Sequence, residues 1–291
     1  MIIPAIGVAS AAAAGALGAT PLIIPLGLAG AALAGAVRAL AGDAPAHLAG
    51  AVIAPLLLLA SLFDPGVSGE LPRAVIAIAA AAWTVVELAR PSTSPLVAVL
   101  PAAVAAILDP SFVALVALAG VRAMTAPWER PRWAIAVPVA GGLAIVLALL
   151  AGAAHGGTLG ALADRWCGVR GPPLSIGALA TAGGDLLGPV TAVAALAGLA
   201  ALVRVRYGEL AIAASIVGAL LVDLRTGAIG PATIALAALC AGLAVGRLAA
   251  LIRLASGQAI AAITVGALLV VPPAWTAIER SPRVANARAS R

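Results

Sequence analysis

The sequence lacks lysine and is poor in cysteine, aromatic residues and charge: it has two cysteines, one tyrosine and two phenylalanines, and 10% of its 291 residues are charged. Without lysine, neither a P-loop lysine nor a Schiff-base lysine is available. Cys167 and Cys240 lie too far apart in sequence to form a disulfide framework or a zinc motif, and His47 and His155 add no metal-ligand spacing. We therefore expect no metal site and no cofactor.

The residues that are abundant are small and apolar. Hydrophobic residues make up 63% of the chain and the mean hydropathy is +1.15, whereas soluble domains are roughly 45–50% apolar and about 25% charged. Glycine occurs 32 times, and small side chains let helices in a membrane approach closely. The spacing of Gly242 and Gly246 fits such packing. The composition predicts an all-α fold, a polytopic bundle of transmembrane helices.

The apolar runs match the length of a bilayer span, which is about 20 residues. Eleven runs are long enough: 2–18, 22–41, 47–63, 72–89, 95–109, 111–126, 133–154, 187–203, 208–223, 229–247 and 258–276. The first two are separated by Thr20 and Pro21 and can also be interpreted as one broken helix. Asp109 and Pro110 separate another pair, and proline favours a tight reversal there. We expect ten or eleven spans with short loops.

The chain has no internal linker that would divide it. We expect a single transmembrane domain over residues 1–276, followed by a basic tail at 277–291. The longest connection is an outer-side loop at about 155–186. Its second half, 174–186, is apolar enough to lie at the interface or to re-enter the membrane. The first run has no basic segment before it and no clear cleavage site, so we interpret it as a retained span.

The arginines predict an orientation. Nine fall in alternate loops that would be cytoplasmic if the N-terminus is inside: Arg38, Arg90, Arg122, Arg130, Arg132, Arg204, Arg206, Arg247 and Arg253. Four fall in the opposite loops, Arg73, Arg165, Arg170 and Arg225, and four in the tail. The positive-inside rule therefore predicts an inside N-terminus. The tail arginines fit better if the number of spans is ten. The many crossings in a short chain are typical of a protein of the bacterial cytoplasmic membrane.

One polar cluster stands out in the outer loop. Asp164, Arg165, Trp166 and Arg170 lie close together in sequence, and Asp185 follows within an otherwise apolar stretch. These residues are candidates for a substrate pocket, in which arginine would bind the phosphate of a headgroup or a sugar phosphate. The alternative is a solvated loop with an interfacial tryptophan.

The remaining acids near the spans each have an arginine close by in sequence. The pairs are Glu87 with Arg90, Glu209 with Arg206, and Asp223 with Arg225. A charge deep in a bilayer is costly and is a functional hypothesis by default. These acids fall at the predicted span ends, so we expect local ion pairs there rather than a proton relay.

Three functional classes remain open. The first and favoured one is a permease for a small solute or a lipid, with an uncharged or amphiphilic substrate, because charge is scarce within the spans. The second is a non-catalytic membrane subunit, and the third is a protein like the lipid-linked glycosyltransferases that lacks a recognisable catalytic loop. No nucleophile elbow occurs, so an enzyme is the less favoured reading and no catalytic residue is assigned. Expected partners are membrane lipids and other membrane subunits or further copies of the chain. Nucleic acid is not expected, because the arginines are dispersed.

Overall fold

The computed structural model describes residues 2–16, 22–42, 47–62, 71–90, 95–125, 175–200, 202, 207–252 and 255–279. In these ranges every regular element is a helix and there is no strand. The all-α fold class is therefore confirmed. The predicted span at 133–154, most of the outer loop and the tail after Glu279 lie outside the described residues.

The helices follow the predicted apolar runs. In the described ranges they are α1 (Ile2–Ala16), α2 (Ile23–Ala41), α3 (Leu48–Leu62), α4 (Leu71–Ala89), α5 (Pro95–Leu108), α6 (Val113–Thr125), α7 (Ile176–Leu187), α8 (Pro189–Ala200), α9 (Tyr207–Thr226), α10 (Pro231–Leu251) and α11 (Ala255–Glu279). A short 3-10 helix, Pro110–Phe112, precedes α6. All except α7 coincide with a predicted span. Helix α7 occupies the segment predicted to lie at the interface or to re-enter the membrane.

Among the described residues, four helices are long and apolar enough to cross a membrane: α2, α4, α9 and α10, with 19 to 21 residues each. The bent pair α7–α8 would add a fifth span if it is counted as one. Of the other described helices, α1, α3, α5 and α6 are shorter, and in α11 the apolar segment is Ile263–Trp275. Helix α3, for example, has 15 residues, which is about 22 Å at 1.5 Å per residue, less than the roughly 30 Å of a hydrocarbon core. Length and composition thus support an integral membrane protein. Within the described ranges, fewer helices reach the full length of a span than the apolar runs there predicted.

Helices α1 and α2 are two packed helices rather than one broken helix. A Cβ built on Gly7 would lie 2.9 Å from the carbonyl oxygen of Gly27, and one on Gly27 would lie 3.1 Å from that of Gly7. In a continuous helix residues twenty positions apart are about 30 Å apart. The broken-helix interpretation of the first two runs is therefore wrong.

The predicted reversal between α5 and α6 is confirmed. The Asp109 side chain accepts a hydrogen bond from the Ser111 backbone N–H at 2.9 Å and caps the short 3-10 helix. Proline follows Asp109 and cannot continue α5. Helix α6 then packs back against α5.

A second break lies at Gly188, between α7 and α8. Its φ of 76° lies in the left-handed region that glycine adopts readily. The axes of α7 and α8 differ by 111°. Helix α7 thus does not continue into α8 in a straight line but turns sharply away from it.

Helix α10 is the most buried of the long helices, and glycines bring its neighbours close. The site of a Cβ on Gly50 of α3 would overlap the carbonyl oxygen of Gly242. A Cβ on Gly246 would lie 3.3 Å from Nδ1 of His47. Both glycines of the predicted small-residue motif therefore face α3, and the prediction of close packing is confirmed. The start of α3 lies beside the end of α10, so these two helices are antiparallel.

Candidate functional site

The charged residues of the described helices gather at two ends of the bundle. Helices α2, α4 and α6 finish at one end of the bundle, where α9 begins. The residues at this end are Arg38, Arg90, Arg122, Tyr207 and Glu209. We call this the arginine end. Cationic side chains in or just after the last turn of a helix stabilise its unpaired carbonyl groups and its dipole. Three helix C-termini therefore account for the three arginines. Arg73 and Arg225 lie at the opposite end, as the alternation of loops predicted.

Gly208 lets α9 approach the ends of α2 and α4. A Cβ at this position would lie 3.0 Å from the Ala89 Cβ and 3.1 Å from Cδ2 of Leu40. These distances are tighter than ordinary van der Waals contacts, so the neighbours would have to move for a larger residue. The start of α9 thus covers the last turn of α4.

Arg122 connects three of these helices. Its Nη2 donates a hydrogen bond of 2.7 Å to the backbone carbonyl oxygen of Arg90, just after α4. Its Cζ lies 5.3 Å from the centroid of the Tyr207 ring on α9, within the distance of a cation–π contact. The Arg122 side chain, on α6, therefore contacts both the end of α4 and the start of α9.

Glu87 is a buried carboxylate in the last turn of α4. Its exposed fraction is 5%. Oε1 lies 3.7 Å from Nη1 of Arg90, whose side chain is 59% exposed. This is an ion pair but not a hydrogen bond. Oε2 is buried and has no hydrogen-bond partner in the part of the chain that the structure describes. A buried carboxylate oxygen without a donor is energetically unfavourable. Oε2 of Glu87 can therefore accept a hydrogen bond from a bound group.

Glu209 is a second buried carboxylate at the arginine end, also 5% exposed. It lies in the first turn of α9, where a negative charge interacts favourably with the helix dipole. Helix position thus gives Glu209 a structural role that Glu87, in the last turn of α4, does not have.

Asp223, at the other end of α9, is 1% exposed. Its side chain forms hydrogen bonds with the start of α10. Its Oδ1 accepts the Gly230 backbone N–H at 2.9 Å, and its Oδ2 accepts the Thr233 hydroxyl at 2.5 Å. Both donors belong to the N-terminus of α10, where the first backbone N–H groups have no partner within the helix. Asp223 therefore acts as a cap for the neighbouring helix.

The outer cluster predicted from the sequence is only partly described. Asp185 lies on α7 and is exposed. Asp164, Arg165, Trp166 and Arg170 lie outside the described residues. This cluster therefore stays a prediction. Within the described ranges, no three His, Cys, Asp or Glu side chains come together in an arrangement that would hold a metal ion.

The sequence indicated the Glu87–Arg90 ion pair correctly but not the burial of Glu87. Trp83 precedes Glu87 by one turn on the same face of α4 and is 53% exposed. The exposure of a residue one turn away therefore does not indicate whether another helix covers Glu87.

Comparisons with known proteins give no relative. No family model, no curated protein and no solved structure matches this chain. Function must therefore be argued from the site alone.

Proposed function

We propose that this chain is an integral membrane carrier that moves a small uncharged solute or an amphiphile, such as a lipid, through its helix bundle. The observation that carries the proposal is the carboxylate of Glu87, which is buried among helix ends and has one oxygen without a hydrogen-bond partner among the described residues. Ionisable residues inside a helix bundle of a membrane protein usually mark a substrate or ion path. The unpaired oxygen fits a substrate group that carries an O–H or N–H donor.

The bent pair α7–α8 supports the same class of protein. Two apolar helices meet there at 111° around Gly188. Discontinuous helices are common in transporters, where the backbone groups freed at the break contribute to substrate sites.

Localisation in a bacterial cytoplasmic membrane, with the N-terminus inside, is part of the proposal. Of the arginines on described helices, Arg38, Arg90, Arg122 and Arg247 lie toward one end, and Arg73 and Arg225 toward the other. The end richer in arginine is the cytoplasmic one under the positive-inside rule.

Purified protein in liposomes tests the proposal with two probes. Glycerol entry, followed by stopped-flow light scattering, reports movement of a small uncharged solute. Loss of fluorescence of a nitrobenzoxadiazole-labelled phosphatidylethanolamine on addition of dithionite reports lipid movement. We expect one of the two rates to exceed that of protein-free liposomes, and Glu87→Gln to lower it at least tenfold.

The control is Trp83→Leu on the same helix, whose side chain is exposed on the outside of the bundle. It should leave the rate unchanged. Rates equal to those of protein-free liposomes in both assays, for protein that is folded and inserted, would contradict a carrier. Unchanged transport in Glu87→Gln, combined with loss in Asp185→Asn, would move the site to the predicted outer cluster.

A further inference from the structure

Helix α7 contacts the bundle at the end opposite the arginine end. A Cβ on Gly183 of α7 would lie 3.6 Å from Cδ1 of Ile229, which is an ordinary van der Waals distance. Ile229 belongs to the short connection between α9 and α10. Both of these helices are long and apolar enough to cross a membrane, so their connection lies at a membrane surface. This part of α7 is therefore at the level of that surface.

Helix α8 leads from the same surface into the bundle. The site of a Cβ on Gly198 would overlap the carbonyl oxygen of Cys240, near the middle of α10. Gly198 is nine positions from the start of α8, and Cys240 is nine positions from the start of α10. At 1.5 Å per residue, each helix advances about 14 Å from its first residue to this contact. Helices α8 and α10 thus start at about the same level and run in the same direction.

The break at Gly188 turns α7 across this end of the bundle. The axes of α7 and α8 differ by 111°, which is 21° from a right angle. Since α8 runs beside the candidate span α10, a helix nearly perpendicular to α8 lies nearly in the plane of the membrane. Of the two positions that the sequence left open for this segment, the geometry fits the interface and not a re-entrant path.

One face of α7 is directed toward the bundle and the membrane. Leu179, Gly183 and Leu187 follow one another at intervals of four residues and share this face. The two leucines are 8% and 9% exposed. Ile176 lies on the same face, yet its side chain is 78% exposed. A large apolar side chain that points toward the membrane and is not covered by protein fits contact with lipid.

The opposite face of α7 is polar and exposed. Ala178, Thr181 and Asp185 lie on it, and all three are exposed. Asp185 is the only charged residue of α7, so the helix has no basic group that would attract anionic headgroups. The surface that α7 fits is therefore apolar, the boundary between headgroups and acyl chains.

We propose that α7 is an interfacial helix, which lies on the membrane surface opposite the arginine end with Ile176 among the lipid acyl chains and Asp185 in water. Helices of this kind bury their apolar face about 5–10 Å into the headgroup and acyl boundary. The pair α7–α8 is then not one broken span, because only α8 enters the membrane. The inference goes beyond the proposed carrier function and does not depend on it.

Reactivity of introduced cysteines tests the orientation of α7. In protein whose own cysteines, Cys167 and Cys240, are replaced by alanine, Ala178→Cys and Asp185→Cys are treated with a membrane-impermeant maleimide in phosphatidylcholine liposomes. The two positions are seven residues apart, about 10 Å along the helix. We expect both to react from the same side as Ala228→Cys and at rates within about threefold of each other, since a helix in the membrane plane holds them at similar depth.

The control is Val217→Cys, which is 58% exposed and lies half-way along α9. Exposure in the middle of a span is exposure to lipid, so this cysteine should react at least tenfold more slowly than Asp185→Cys.

Quenching of an attached fluorophore tests the contact with lipid. A nitrobenzoxadiazole probe is attached to Ile176→Cys or to Asp185→Cys, in liposomes that contain a phosphatidylcholine with a nitroxide on its acyl chain. We expect at least threefold stronger quenching at position 176 than at position 185, because the two residues lie on opposite faces of α7.

Two results would overturn the inference. A reaction at position 178 or 185 as slow as that of Val217→Cys would show that α7 enters the membrane. Quenching at position 176 no stronger than at position 185 would show that water or protein, rather than lipid, covers Ile176. No solute takes part in either experiment, so their outcome is separate from that of the transport assays.

Discussion

Replacing Gly50 by alanine tests how far close backbone contact stabilises this bundle. The new Cβ would overlap the carbonyl oxygen of Gly242, and would lie 2.9 Å from its carbonyl carbon and 3.1 Å from the backbone nitrogen of Gly246. The obstructing atoms are backbone atoms of α10. They cannot rotate away as a side chain would, so α3 and α10 must separate by about 1 Å or more to reach ordinary contact distances.

The expected change in the free energy of unfolding of Gly50→Ala follows from two opposing effects. Overpacking of a buried contact costs about 1–3 kcal/mol, and the fixed backbone on α10 places Gly50→Ala near the upper value. Alanine in a helix gains at most about 1 kcal/mol over glycine. We expect the free energy of unfolding to fall by about 2 kcal/mol.

Gly184→Ala is the matched control, since it is the same substitution in a helix of the same chain. A Cβ on Gly184 meets no atom within 4 Å. The helix propensity of alanine then acts alone, and stability should rise by up to about 1 kcal/mol.

Unfolding by sodium dodecyl sulfate in mixed micelles, followed by tryptophan fluorescence, measures both variants under the same conditions. The two substitutions should shift the midpoint in opposite directions. A Gly50→Ala protein at least as stable as the parent would refute the argument, because it would mean that α3 and α10 are not in backbone contact at this position.

Three further measurements test other parts of the structure. Asp223→Ala leaves the Gly230 N–H and the Thr233 hydroxyl without their acceptor and should lower the free energy of unfolding by about 2–4 kcal/mol. The stability of Asp223→Asn should lie between that of the parent and that of Asp223→Ala. A loss under about 0.5 kcal/mol in Asp223→Ala would contradict the cap. Asp185→Asn changes an exposed group and should alter stability by less than about 0.5 kcal/mol, so a larger loss would point to unseen partners. Leu251 ends α10 and Ala228 lies just before its start, so Leu251→Cys and Ala228→Cys should react with an impermeant maleimide from opposite sides of a liposome. Reaction from the same side would rule out α10 as a span.

Much of the secondary structure could be predicted because hydrophobic runs alone indicate where helices form in a membrane. The run at 72–89 became α4 (Leu71–Ala89), and the turn at Asp109 and Pro110 fell where proline required it. Span length was less predictable. Helix α3 covers nearly all of its apolar run and is still shorter than a bilayer span, so an apolar run does not by itself establish a crossing.

The candidate site was less accessible to sequence reasoning. The sequence favoured Asp185 and its neighbours because they interrupt an apolar stretch, whereas Glu87 was interpreted as an ordinary ion pair with Arg90. That pair exists, at 3.7 Å, but a local pair can be exposed or buried with the same spacing. Only contacts from other helices distinguish the two cases.

The sequence by itself determined that this chain is helical and apolar, and that its arginines alternate between the ends of its helices, because composition and periodicity are local properties of the chain. The tertiary structure alone decided that Gly208 brings α9 over the last turn of α4 and that Arg122 meets Tyr207 there. It also decided that Glu87 is enclosed although Trp83, one turn away, is exposed. Burial depends on which helices pack together, and no local pattern of the chain indicates which distant segments meet.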